Sequence, residues 1–149
     1  KLLFETCDLK DNEHSRILDG EMGIDRLVYV TVNNLKSPIK FTVQERFRRI
    51  EYLRWQDLTI TGWNNNSNLP SELYKINAGL FVYGYFDPVK NVFPDALCVN
   101  VTKLLLTIVR DKIKYSRNIN AKNQSFFGFE FKNLSDAGVV DWRVDGKAL

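Results

Sequence analysis

The sequence predicts an α/β fold, a mixed central β-sheet flanked by helices, in one domain spanning residues 1–149. Three observations carry this. Two runs rich in β-formers, Asp25–Val32 and Lys40–Arg49, are joined by the turn-forming "NNLKSP". After Ser71 the apolar period changes from alternation to helical spacing. Strand-like runs then return at Leu80–Phe86 and Gln124–Leu134, so strands and helices interleave.

The elements follow in chain order. Residues 2–18 suit a short, broken helix, and "ILDGEMGID" (Ile17–Asp25) is a turn-rich approach punctuated by Gly20 and Gly23. Asp25–Val32 and Lys40–Arg49 pair as a hairpin. Gln56–Trp63 is a third strand, alternating at Leu58 and Ile60. "WNNNSNLPS" is a loop ending in Ser71, which can cap a helix that carries Leu73, Ile76 and Leu80, with Glu72 in its first turn. Leu80–Phe86 is a strand. Val99, Leu104, Leu105, Ile108 and Ile113 suggest a helix, preceded by a short strand at Ala96–Val101. "QSFFGFEFKNL" alternates Phe127, Phe129 and Phe131 as a late strand, and Ser135–Leu149 is a polar tail with a helical turn. The predicted order is α, β, β, β, α, β, α, β.

Bulk composition limits the function classes. Apolar residues make up 44% and charged residues 26% of 149 residues, an ordinary globular balance with room for a core. No run approaches the roughly 18 apolar residues of a membrane helix. "KLLFETCDLKDNE" lacks the apolar centre of a signal peptide and opens without Met, as a processed chain would. A cytoplasmic location is therefore expected, with no membrane partner. Cys7 and Cys98 lie far apart without zinc-site spacing and read as reduced, buried thiols. The sequons at Asn65, Asn100, Asn123 and Asn133 then follow from an Asn-rich composition. The net charge of +3 is mild, but it is clustered. Arg46, Arg48, Arg49 and Arg54 form one group. Lys103, Arg110, Lys112, Lys114, Arg117 and Lys122 form another. Two basic groups suit a polyanion, and equally two solvated faces.

The strand "KFTVQERFRR" holds the strongest chemical signal. Alternation puts Phe41, Val43, Glu45 and Phe47 on one face, a packing face, and Thr42, Gln44, Arg46 and Arg48 on the other, a working face. Gln44 and Arg46 then stand about 6.5–7 Å apart. Hairpin pairing brings Asp25 to the far end of this strand. An acid, an amide or second acid, and a cation converge there. A hard cation takes such oxygen ligands, polarises a phosphodiester and activates water, and a neighbouring guanidinium can stabilise the developing charge.

At "GID" and "VQER", with Gln44 nineteen positions after Asp25, the chain resembles the PD-(D/E)XK nuclease superfamily, in its Q-x-K branch. The resemblance covers about residues 17–85, where the α-β-β-β-α-β order also fits. It implies a restriction-endonuclease-like domain and Mg²⁺- or Mn²⁺-dependent cleavage of DNA. It places Asp25 as a metal ligand, Gln44 at the second ligand position and Arg46 at the lysine position. Arg46 departs from the pattern, because arginine stabilises charge but cannot serve as a base at neutral pH. Gln44 departs too, and Glu45 fills the acid's role if a bulge turns it inward. Arg48, Arg49 and Lys75 are the candidate nucleic-acid contacts. A homodimer is open to such an enzyme, with no interface legible in the sequence.

Other candidates have plainer readings. Glu5 and Glu13 are commoner as solvated acids, and Asp57 as a turn residue. Lys75 suits an i,i+3 surface pair with Glu72. His14 lies in a polar, acid-rich segment and suits the surface. Phe81, Tyr83, Tyr85 and Phe86 have the ring types that stack bases, but "LFVYGYF" reads first as a core strand. No glycine-rich phosphate loop is present. Two further functions stand beside the nuclease: a nuclease-like fold that binds nucleic acid or a protein without cutting, and a structural or assembly protein, in that case of viral type.

Overall fold

The computed structural model describes residues 2–8, 22–32 and 37–145. Two sheets face each other. The larger has six strands in the order β1-β2-β3-β6-β7-β10: β1 (Leu2–Asp8), β2 (Arg26–Val32), β3 (Ile39–Arg49), β6 (Leu80–Asp87), β7 (Val92–Asn100) and β10 (Val140–Asp145). The smaller has four in the order β5-β4-β9-β8: β4 (Asp57–Asn64), β5 (Leu69–Pro70), β8 (Ser116–Ile119) and β9 (Gln124–Glu130). The predicted mixed α/β architecture is therefore present. β3 and β6 run parallel, while the other pairs are antiparallel. A parallel pair needs a crossover. Here the crossover carries a 3-10 turn (Ile50–Trp55), β4, β5 and the one-turn helix α1 (Glu72–Lys75). A second excursion, between β7 and β10, carries α2 (Val101–Val109), β8, β9 and α3 (Phe131–Asp136). Pairing of β4 with β9 joins the two excursions into one sheet.

The core lies between the sheets. Phe81, Tyr83 and Tyr85 alternate along β6 and are fully buried, against Leu58 and Ile60 of β4, Leu97 and Val99 of β7 and Phe129 of β9. Phe131 and Leu134 of α3 and Leu104 of α2 close its ends. The rings of Phe81, Tyr83 and Tyr85 meet edge to face at 5.9 and 6.2 Å, the arrangement their quadrupoles favour. Gly84 is required because an added Cβ would come within 2.7 Å of the Ala96 Cβ across the β6–β7 pair. Among the described residues no helix is long and apolar enough to cross a membrane.

Several predicted elements are corrected. Leu2–Asp8 is a strand paired with β2, not the start of a helix, so Glu5 sits opposite Tyr29 on a sheet edge. A short apolar run has no period of its own, and tertiary pairing decides it. The rest of the predicted helix, with Glu13 and His14, lies outside the described residues. The third strand forms, but in the other sheet. The 3-10 turn and the left-handed backbone of Gln56 (φ 42°) turn the chain away after β3. The helix after Ser71 has four residues, and the Ser71 hydroxyl bonds Thr61 Oγ at 2.8 Å instead of capping. Asn100 is the cap that forms, accepting from Lys103 N–H at 3.0 Å at the start of α2. The late strand stops at Glu130 and continues as α3, and the polar tail supplies β10. β10 docks through Arg143, whose guanidinium forks onto the buried Asp95 carboxylate at 2.7 and 3.0 Å.

The two faces of β3 are separated as alternation predicts, but their environments are exchanged. Gln44, Arg46 and Arg48 stand level with Phe81, Tyr83 and Tyr85 and turn toward the second sheet. On the expected packing face Val43 is buried, whereas Phe41 and Phe47 remain 38% and 43% exposed. Among the described residues Phe47 stacks against Phe93, at 4.7 Å, and Phe93 against Phe86.

Candidate functional site

The hairpin register sets the site. Arg26 pairs with Val43, so Asp25 lies level with Gln44 and not with the arginines further along. Asp25 is tied to β3 twice: its N–H donates to Val43 O at 2.8 Å, and its Oδ2 accepts from Glu45 N–H at 2.5 Å. Gln44 is 8% exposed, and its carboxamide oxygen has no hydrogen-bond donor among the described residues. That oxygen belongs to a side chain lining a cleft of about 400 Å³, shared with Gly23, Arg46, Thr61, Ser71, Glu72 and Lys75. Gly23 keeps the approach open. Its φ is +59°, and an added Cβ would stand 3.0 Å from Gln44 Oε1.

Arg46 reaches across the cleft. Its Nη2 lies 2.7 Å from Glu72 Oε1, and its Nη1 donates to Thr59 O at 3.4 Å. Glu72 Oε2 accepts from Thr61 N–H at 3.3 Å and from Thr61 Oγ at 3.4 Å. Desolvation pushes the Glu72 carboxyl above its ordinary range, while Arg46 and the Thr61 donors pull the other way. Beyond Arg46, a further cavity of about 250 Å³ runs between Arg46, Arg48, Thr59, Thr61, Asn120 and Phe126. Arg48 is fixed there by Asp57 at 3.0 Å and by the Tyr52 ring at 4.4 Å.

The predicted residues are thus divided. Gln44, Arg46 and Lys75 share the cleft, and Asp25 braces the strand beside Gln44. Glu45 points to the other face, with its carboxylate on Arg26 Nε at 2.7 Å. The bulge that would turn it inward is not there, since β3 and β6 stay in register from Val43 to Arg49. Arg49 is 82% exposed on that outer face, 3.9 Å from Glu51. Asp57 opens β4 and serves Arg48 and the Tyr85 hydroxyl, which donates to Asp57 O at 2.9 Å. Tyr83 and Tyr85 are fully buried, with phenols held protonated by burial, so neither stacks a base. No residue of the Lys103–Lys122 basic group lines the Gln44 cleft. Glu72 is the cleft residue that sequence reasoning passed over. A Glu after a cap-type Ser, with Lys three positions on, carries every mark of a helix-start acid. Only the fold brings it to Arg46.

The donor set bears on metal binding. Among the described residues no three His, Cys, Asp or Glu side chains come together as a metal-holding group. Gln44, Glu72, Thr61 and Ser71 bring a carboxamide, a carboxylate and two hydroxyls to the cleft lining, the ligand types of a hard cation, beside the positive side chains of Arg46 and Lys75. A buried acceptor without a donor is costly, and a cation at Gln44 Oε1 would satisfy it. The residues fit such an ion.

No protein-family profile matches the chain. No curated protein matches it either. Among solved structures it is similar to a nuclease from a fusselovirus, at 9% identity over 91% of this chain and 75% of that one, with a TM-score of 0.38. A likeness that loose carries no argument about this chain.

Proposed function

We propose that the chain is a metal-dependent endonuclease that hydrolyses phosphodiester bonds of DNA in the cleft between its sheets. The observation that carries this reading is the buried, donorless carboxamide oxygen of Gln44, one strand step from Arg46 and across the cleft from Lys75. Asp25 and Gln44 are the residues to hold Mg²⁺ or Mn²⁺ from β3 and its neighbour. Such an ion, when bound, polarises a phosphoryl oxygen and lowers the pKa of coordinated water. The chain's own groups do the rest. The Asp25 carboxylate fixes the Glu45 backbone and with it the position of Gln44. Arg46 supplies positive charge where the phosphorane oxygens become more negative. Lys75 contacts a flanking phosphate as a point charge. Arg48 holds its end of the cleft through Asp57, and the exposed Arg49 offers a phosphate contact outside it. On this reading Asp25, Gln44 and Arg46 occupy the Q-x-K positions of the PD-(D/E)XK pattern.

One observation favours the second reading, nucleic-acid binding without cleavage. Arg46 is already paired with Glu72, and Glu45 is turned away. The experiment that separates the two is nicking of supercoiled plasmid with Mg²⁺ or Mn²⁺. Wild-type protein should nick, and Asp25→Asn, which keeps an acceptor for Glu45 N–H, should not while melting at a similar temperature. If wild-type protein cuts with neither metal, the enzyme reading is wrong. Salt-sensitive, metal-indifferent DNA binding would then establish the second reading.

A further inference from the structure

Two buried side-chain atoms lack a hydrogen-bond partner among the described residues: Gln44 Oε1 and Glu72 Oε1. Both belong to side chains that line the same cleft of about 400 Å³. They come from different elements, Gln44 from β3 and Glu72 from the helix α1, which follows β4 and β5. Glu72 Oε1 does meet the Arg46 guanidinium, 2.7 Å away, as an ion pair. The other carboxylate oxygen is anchored by Thr61 N–H and Oγ, and the side chain is only 11% exposed. Glu72 is therefore held with one oxygen on Thr61 and the other, buried, on Arg46.

We propose that Glu72, and not Glu45, is the carboxylate that joins Gln44 in holding a divalent cation, and that it does so by giving up Arg46. The inference rests on the metal-dependent reading above. Charge decides it. Arg46 and Lys75 line the cleft, and Glu72 is the acid among the residues lining it. Without Glu72, a cation beside Gln44 would meet two positive side chains of the cleft lining and no carboxylate among them, since Asp25 stands outside that lining with its Oδ2 on Glu45 N–H. Glu45 cannot take the place, because it serves Arg26 across an unbroken strand. A dication in the cleft outcompetes a monovalent guanidinium for the same oxygen. Arg46, whose side chain is 35% exposed, is then released toward the solvent side, where a phosphate would lie. Cation binding and Arg46 release are one coupled event, so weakening the Arg46 contact must strengthen cation binding.

The test is Mn²⁺ binding to the full chain by titration calorimetry, with no nucleic acid present and with melting temperatures recorded for each variant. Glu72→Gln should weaken Mn²⁺ by about tenfold or more, since ligand charge sets affinity at such sites. Glu45→Gln should bind within about twofold of wild type by the same reasoning. Arg46→Met should bind several times more tightly, an effect that a purely structural Arg46 would not produce. If Glu72→Gln fails to fold, Glu72→Asp and Arg46→Met carry the same decision. Wild-type-like binding by Glu72→Gln, or weaker binding by Arg46→Met, overturns the inference. Loss confined to Glu45→Gln overturns it while leaving the metal-dependent reading standing. A wild-type protein that binds no Mn²⁺ overturns both.

Discussion

Replacing Gln44 with Met tests the central observation without any ligand. Methionine keeps the unbranched shape and nearly the volume of glutamine, and it removes the carboxamide. An acceptor left unsatisfied in the folded state costs about 1–3 kcal/mol. The cleft beside Gln44, at about 400 Å³, is roomy and polar enough for water to lower that cost. The low end applies, so Gln44→Met should stabilise the chain by about 1 kcal/mol. In a chain of 149 residues that raises the melting temperature by about 2–4 °C. Urea titration followed by circular dichroism in EDTA gives the free energy, and a thermal scan gives the shift. The variant should lose the further stabilisation that Mn²⁺ confers on wild type by mass action. A Met variant less stable than wild type by 1 kcal/mol or so would mean that donors already hold the amide, and the argument for a waiting ligand would fail.

Three other outcomes follow from the same geometry. Arg143→Ala leaves the Asp95 carboxylate, only 5% exposed, without its fork; the loss should be about 3 kcal/mol by urea titration, the low end for a broken buried pair because Arg143 keeps some solvent. The Glu72 carboxyl sits above its ordinary value of 4.5 through desolvation, so the folded state holds that proton more tightly than the unfolded chain does. Its stability contribution is complete below 4.5 and is lost as pH rises through the raised value. The stability of wild type relative to Glu72→Gln should therefore rise as the pH falls from 7 through that value to 4.5, and a fall would show that the Arg46 pair outweighs burial. Burial pushes the Cys98 thiol up to about 11. In a Cys7→Ser background, iodoacetamide at neutral pH should label folded protein at least tenfold more slowly than urea-unfolded protein, because the thiolate is the reactive form. Equal rates would place Cys98 at the surface.

Local pattern was enough for some of this. The period-2 alternation of "KFTVQERFRR" separated Gln44, Arg46 and Arg48 from Phe41, Val43 and Phe47, because a strand's faces follow from backbone geometry alone. The hairpin of β2 and β3 was legible from two β-rich runs around a turn, but its register was not: the pattern put Asp25 at the Arg46–Arg49 end, and the pairing of Arg26 with Val43 puts it level with Gln44. The β6 run was equally plain, and so was the helix through Leu104, Leu105 and Ile108, although Val99 belongs to β7 and Ile113 lies beyond the helix end at Val109. What covers each face of β3 was not. The faces are chosen by partners that arrive from elsewhere in the chain. β4 leaves through a 3-10 turn and returns with β9 to cover the polar row, while the phenylalanine row stays half exposed. Glu72 was misread for the same reason. Its neighbours in sequence describe a helix start, whereas its partners, Arg46 and Thr61, lie on strands of two different sheets. Alternation thus determined which residues stand together, and only the packing of one sheet on the other decided that they face inward around a cleft containing an acid.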